Sequence, residues 1–198
     1  MAQTSTTLSG EVSHKANITG TDISISTSGS ISSTSTVLTG SGKLAVRDLV
    51  TVSGTGNNNR TFTVKAVVST TEFTVEETIS ANDNADGSTT FTLDHTGFVT
   101  DKAKGDGYYS QPDGVHTVAY HPGATINDDS TIGLIMQGSL ATTPTEDDWF
   151  DISDTSIDQT NLDGSTLAFH ANFTGNFVYI RAKVVYTDGT VNSIRMNH

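Results

Sequence analysis

The residues best suited to chemistry in this sequence are carboxylates. Glu146, Asp147, Asp148, Asp151, Asp154, Asp158 and Asp163 fall within 18 residues, and no Lys or Arg lies between Lys104 and Arg181. Clustered carboxylate oxygens suit a hard cation such as Ca²⁺, and Asp147, Asp148 and Asp151 are the densest candidates. No segment has the spacing of a known ligand loop, so the cluster reads as a solvated acidic loop that favours solubility. Asn82-Asp83-Asn84-Ala85-Asp86-Gly87 opens like an EF-hand loop. Its twelfth position is Leu93 instead of the bidentate Glu that the motif requires.

Nucleophilic catalysis finds no support. The chain has no Cys, no Gly-x-Ser-x-Gly and no His-Glu-x-x-His, and its six His are scattered. A His-based metal site could arise only through the fold. Gly40-Ser41-Gly42-Lys43 is a turn and lacks the spacing of a phosphate loop. Paired carboxylates could serve a glycosidase, but a Ser/Thr-rich chain with one Trp lacks the usual aromatic cleft. We expect no enzyme, no catalytic residues and no cofactor.

Aromatic residues carry the remaining binding chemistry. Trp149 and Phe150 follow the acidic triplet at 146–148, and strand alternation sends one of them into a core and leaves the other to be covered, for example by a neighbouring subunit. The Tyr108-Tyr109 pair lies in a segment without apolar periodicity and could pack on either flanking module, or serve as a sugar platform.

These residues must be positioned by strands. Of 198 residues, 56 are Ser or Thr, and 28 Val plus Ile stand against nine Leu, a balance that favours sheet over helix. Period-two runs recur at Ile23/Ile25, Val50/Val52, Phe62/Val64/Ala66/Val68, Phe73/Val75 and Phe91/Leu93. In the second half they recur at Val115–Tyr120, Thr131–Leu140, Trp149–Ile152, Leu167–Phe173, Phe177–Tyr186 and Val191–Met196. Gly/Asn/Asp-rich breaks separate them, including five Asp-Gly pairs. No stretch shows a helical period.

The fold class expected is all-β, as two small antiparallel sandwich- or barrel-like modules with a flexible N-terminal arm. The arm is placed at 1–21, module 1 at 22–95, a linker at 96–113 and module 2 at 114–198. The Ser/Thr run at 24–36 reads as a solvated edge strand.

The net charge of −12 argues against a general nucleic-acid binder, which needs a basic face. No run reaches the roughly 18 apolar residues of a membrane helix. The first 21 residues have no basic-then-apolar leader pattern, so synthesis and assembly in a cytoplasm are expected.

Two stretches resemble modules of tailed-bacteriophage virion proteins. The first is Asp48-Leu49-Val50-Thr51-Val52-Ser53-Gly54, followed by Asn57-Asn58-Asn59-Arg60-Thr61-Phe62-Thr63-Val64 and Phe73-Thr74-Val75-Glu76-Glu77. It is similar to a recurrent phage β-module, with Arg47 and Arg60 at positions usually held by Gly. The second is Gly138–Pro144 with Asp147–Ile152, Gly175–Ala182 and the closing hairpin at 189–196, which resembles a β-sandwich module of marine T4-like phage structural proteins. The resemblance implies a non-enzymatic virion protein, assembled in the host cytoplasm. It would decorate the capsid or join the head, neck or tail lattice, with other virion proteins and copies of itself as partners. The alternative is a carbohydrate-binding host-adhesion module of the virion.

Overall fold

The computed structural model describes residues 5–110, 114–123, 132–157 and 168–197. The chain is all-β. Its strands are β1 (Ser5–Ser9), β2 (Val12–Ser13), β3 (Ile18–Gly20), β4 (Ile23–Ser26), β5 (Ser30–Ser33) and β6 (Asp48–Ser53). They continue with β7 (Thr61–Ser69), β8 (Glu72–Val75), β9 (Asp83–Asn84), β10 (Phe91–Val99), β11 (Ala103–Lys104) and β12 (Val115–Pro122). The last five are β13 (Ile132–Ser139), β14 (Phe150–Asp151), β15 (Phe169–Thr174), β16 (Tyr179–Tyr186) and β17 (Thr190–Asn197). Two short 3-10 turns, Asp106–Tyr109 and Glu146–Asp148, are the helical elements among the described residues. None is long and apolar enough to cross a membrane.

The chain forms two compact units, one from residues 15–98 and one from 1–14 together with 99–198. The first is therefore inserted into the second. In the inserted unit, antiparallel neighbours run β10-β6-β7-β8-β5-β4-β9, with β3 also on β10. Alternating side chains point to one core containing Ile23, Ile25, Ile31, Val50, Val52, Phe62, Phe73, Phe91 and Leu93. The expected inward set of β7 ends at Val64: residues 65–69 are exposed on both faces, beyond the core, and the β7–β8 register shifts between Val64 and Ala66. The Ser/Thr run at 24–36 is not an edge. β5 lies between β8 and β4, and β4 lies between β5 and β9, since Ile23, Ile25 and Ile31 supply core side chains.

The discontinuous unit carries two antiparallel sheets. One runs β1-β17-β12-β15, with β2 also on β17, and the other joins β14, β13, β16 and β11. Ile180, Ala182, Val184 and Tyr186 alternate inward along β16, and Val118, Tyr120, Ile194 and Met196 are buried along β12 and β17. The strongest sequence pattern in the chain thus marks a strand with one fully buried face.

Two expected boundaries are corrected. The N-terminal segment is not a free arm. Ser5 pairs with Asn197, Leu8 is buried, and Ile18–Gly20 pair with β10. Nor is 96–113 a linker over its described residues. Val99 and the residues after it belong to the discontinuous unit, and Ala103–Lys104 pair with Ile180–Tyr179. Backbone pairing, which needs no apolar side-chain pattern, orders both segments.

Candidate functional site

The discontinuous unit holds the features with binding chemistry. A groove of about 600 Å³ opens between β14 and β15, each of which ends its sheet path. Its apolar lining comes from Val115, Phe150, Ile152, Phe173 and Phe177, and Asp151, Ser153, Asp154, Asn172 and Thr174 add polar groups. That mixture of apolar surface and few polar groups is typical of ligand grooves.

The groove is built around the Phe177 ring. A Cβ on Gly138 would stand 2.6 Å from that ring, and one on Gly175, whose φ is +154°, would stand 2.3 Å away. Two glycines thus make the slot that seats the aromatic side chain. Phe150 tilts against Phe177 at 5.9 Å and Phe173 does so at 6.3 Å. Phe150 remains 44% exposed, so the sequence expectation of an uncovered aromatic at 149–150 falls on this residue. Neither Trp149 nor Phe150 enters the core; Ile152 does so instead.

Behind Phe173, His116 stacks on its ring at 5.0 Å and lies 3.4 Å from the Asp106 carboxylate. Both polar side chains are buried, and Asp106 also accepts a hydrogen bond from the Gly114 N–H. Sequence spacing could not pair residues ten positions apart on a turn and a strand.

Trp149 is half-buried under a guanidinium. The Arg181 Cζ lies 4.3 Å above its ring, and Arg181 donates to both Glu146 oxygens at 2.8 and 2.7 Å. Its Nε donates to Gln137 Oε1. This is bidentate, stacked recognition of the kind only Arg supplies.

The acidic cluster is largely engaged in local bonds. Glu146 binds Arg181, Asp148 accepts from the Thr145 N–H and hydroxyl, and Asp151 accepts from Gln137 Nε2. The Thr145 donors hold the Asp148 carboxyl below its ordinary range. Asp147 is exposed. Asp147, Asp148 and Asp151 therefore do not converge, and among the described residues no three His, Asp or Glu side chains gather as a metal site. Asp158 and Asp163 lie outside the described residues.

The EF-hand-like stretch is also taken up locally. Asp83 accepts from Asn57 and Asn58, and Asp86 caps Ser88 and Thr89.

A second feature is the turn at Asp106–Tyr109. Tyr108 and Tyr109 are 42% and 53% exposed and meet edge to face at 5.2 Å. The Tyr108 ring also lies 5.6 Å from Tyr179 on β16. Lys104 Nζ sits 4.0 Å from the Tyr108 centroid, and Lys102 Nζ sits 4.5 Å from that of Tyr179. The Tyr108 hydroxyl beside it raises the Lys104 ammonium above the usual lysine range. The sequence marks the Tyr pair. Tyr179 and the two lysines join it only through the β11–β16 pairing. No protein-family model, no curated protein and no solved structure matches this chain.

Proposed function

We propose that the chain is a non-enzymatic structural protein of a tailed-phage virion. In this reading it docks on a head, neck or tail lattice, most simply as a capsid decoration. The observation that carries the reading is the open sheet end in the discontinuous unit. Among the described residues β15 pairs only with β12, its outward side chains include no Lys, and exposed Phe150 and Val115 flank it. A strand that is paired on one side only among the described residues and carries no Lys suits strand addition by a partner. The phage-like segments at 48–77 and 138–196 and the acidic surface, which limits sticking to DNA and anionic cell surfaces, support the same reading.

The test is to locate the chain in gradient-purified particles by micrograph and to count its copies by quantitative mass spectrometry. A copy number near that of the capsid subunits identifies decoration. A number matching a ring symmetry places the protein in the neck or tail. Its absence from the particles overturns the reading. A Phe150→Asp variant that folds should be incorporated poorly.

The carbohydrate-binding adhesion reading stands second, favoured by one observation: Tyr108 and Tyr109 are exposed side by side. Aromatic faces of this kind stack on the C–H face of a sugar ring. Saturable binding to any oligosaccharide, lost in Tyr109→Ala, would support it.

A further inference from the structure

We propose that Tyr108, Tyr109 and Tyr179, together with Lys102 and Lys104, form a binding site for an acidic sugar. The inference rests on the carbohydrate-binding reading and adds the ligand's charge class. The site is built by close backbone approach. A Cβ on Gly107 would stand 2.8 Å from the carbonyl oxygens of Asn176 and Phe177, so the turn lies flat against the residues that lead into β16. The Gly107 N–H donates to the Phe177 carbonyl, and the β11–β16 pairing sets Lys104 opposite Tyr179. Three rings and two ammonium groups thereby gather from positions as far apart as 102 and 179.

Charge decides the ligand. Unit residues 99–198 contain only five Lys or Arg among thirteen Asp or Glu, yet two of the five cations meet here. Neither belongs to an ion pair among the described residues. The carboxylate inside the turn, Asp106, faces away from the rings toward His116 and Gly114. The exposed Tyr109 ring, whose centroid is 5.8 Å from Lys104 Nζ, offers apolar C–H contact, and the ammonium groups held over Tyr108 and Tyr179 offer charged donors to a carboxylate or sulfate on the same sugar. The groove beside Phe150 has the opposite charge, with Asp151 and Asp154 in its lining, and would repel such a ligand. A nucleic acid needs many neutralised phosphates. Two lysines on a chain of net charge −12 supply too few.

The experiment is a titration of the full chain with paired probes: oligogalacturonate against its methyl ester, and sialyllactose against lactose. The acidic member of at least one pair should bind more tightly, and the preference should shrink with added salt. Lys102→Gln and Lys104→Gln should each weaken it about threefold, the size of an exposed charge contact. Tyr109→Ala should weaken it at least about fivefold, as stacking losses do. Thermal melting of each variant checks the fold.

Equal binding of acidic and neutral members, unchanged in the lysine variants, overturns the charge assignment and leaves sugar binding standing. Failure of every sugar overturns both readings. Equal affinity for a single-stranded DNA oligomer or an acidic peptide of the same charge also overturns the assignment, because the site would then read charge alone.

Discussion

Asp22 shows how one side chain can hold a loop. Its two carboxylate oxygens accept hydrogen bonds from the Ser33, Thr34, Ser35 and Thr36 hydroxyls and from the Ser35 and Thr36 N–H groups. The Ser33 hydroxyl is the largest of the causes that pull its carboxyl far below the ordinary range. A depressed carboxyl stabilises the folded state when ionised. Its contribution is complete above the unfolded-state pKa of about 4, declines as pH falls below that, and vanishes once the folded carboxyl is protonated. Asp22→Asn, which places an amide among six donors, should lower the melting temperature of the inserted unit by a few degrees at neutral pH. The gap between variant and parent should close only in strong acid. Calorimetry across that range checks it, and a gap that closes near neutrality would show another group at work. Glu146 tests a pair buried on one side: Arg181 is 6% exposed. Glu146→Ala leaves a buried guanidinium without its counter-charge, still held by Gln137 and the Trp149 ring, and should cost about 2 kcal/mol, less than a fully buried pair because Glu146 is partly solvated. Trp149 is the single Trp and lies against Arg181, so urea melts followed by its fluorescence read both the stability and the local change.

At the scale of elements, the N-terminal strand is the decisive case. Residues 5–9 read Ser-Thr-Thr-Leu-Ser, with one apolar side chain, and composition alone makes them an arm. In the structure the backbone of β1 pairs with β17, and Leu8 enters the core. Deleting residues 1–14 therefore exposes one edge of β17 and opens a cavity where Leu8 packs. The discontinuous unit should lose several kcal/mol and the protein should aggregate. Leu8→Ala alone should cost about 2–3 kcal/mol in a denaturant melt. Normal solubility and stability of the deletion would mean that β1 contributes no packing. The same contrast explains what was legible beforehand. Strands with alternating Val, Ile and Phe, such as β6, β8 and β16, could be read directly, because side-chain periodicity and burial coincide there. β1, β2, β3 and β11 could not, because short polar strands take their order from a neighbour's backbone. The aromatic residues of the candidate sites were visible one by one. Their assembly was not: the Phe177 slot depends on Gly138 and Gly175, 37 residues apart in the chain. The lysine–tyrosine cluster depends on a two-residue strand.

At the scale of the whole molecule, the inserted unit is a continuous segment, 15–98, with its own core. Its two chain ends are clasped together. The Lys15 ammonium pairs with Asp48, and the Lys15 N–H donates to His95 Nδ1 at 3.2 Å. The other His95 ring nitrogen lies 3.4 Å from the second Asp48 oxygen. Asp48 also accepts from the Ala45 N–H, which ties the start of β6 to the clasp. Insertions of this kind are tolerated when the entry and exit of the inserted segment lie close together. Residues 15–98 expressed alone should therefore fold and unfold in one cooperative transition, with β-type circular dichroism and dispersed amide resonances. Asp48→Ala in that fragment removes the group that binds both ends and leaves the buried Lys15 ammonium without a counter-charge. It should cost about 3 kcal/mol and broaden the resonances of residues near 15 and 95 first. A fragment that is disordered on its own would show that the inserted unit borrows its stability from the rest of the chain. A stable fragment that tolerates Asp48→Ala would show that the β3–β10 pairing alone holds the ends.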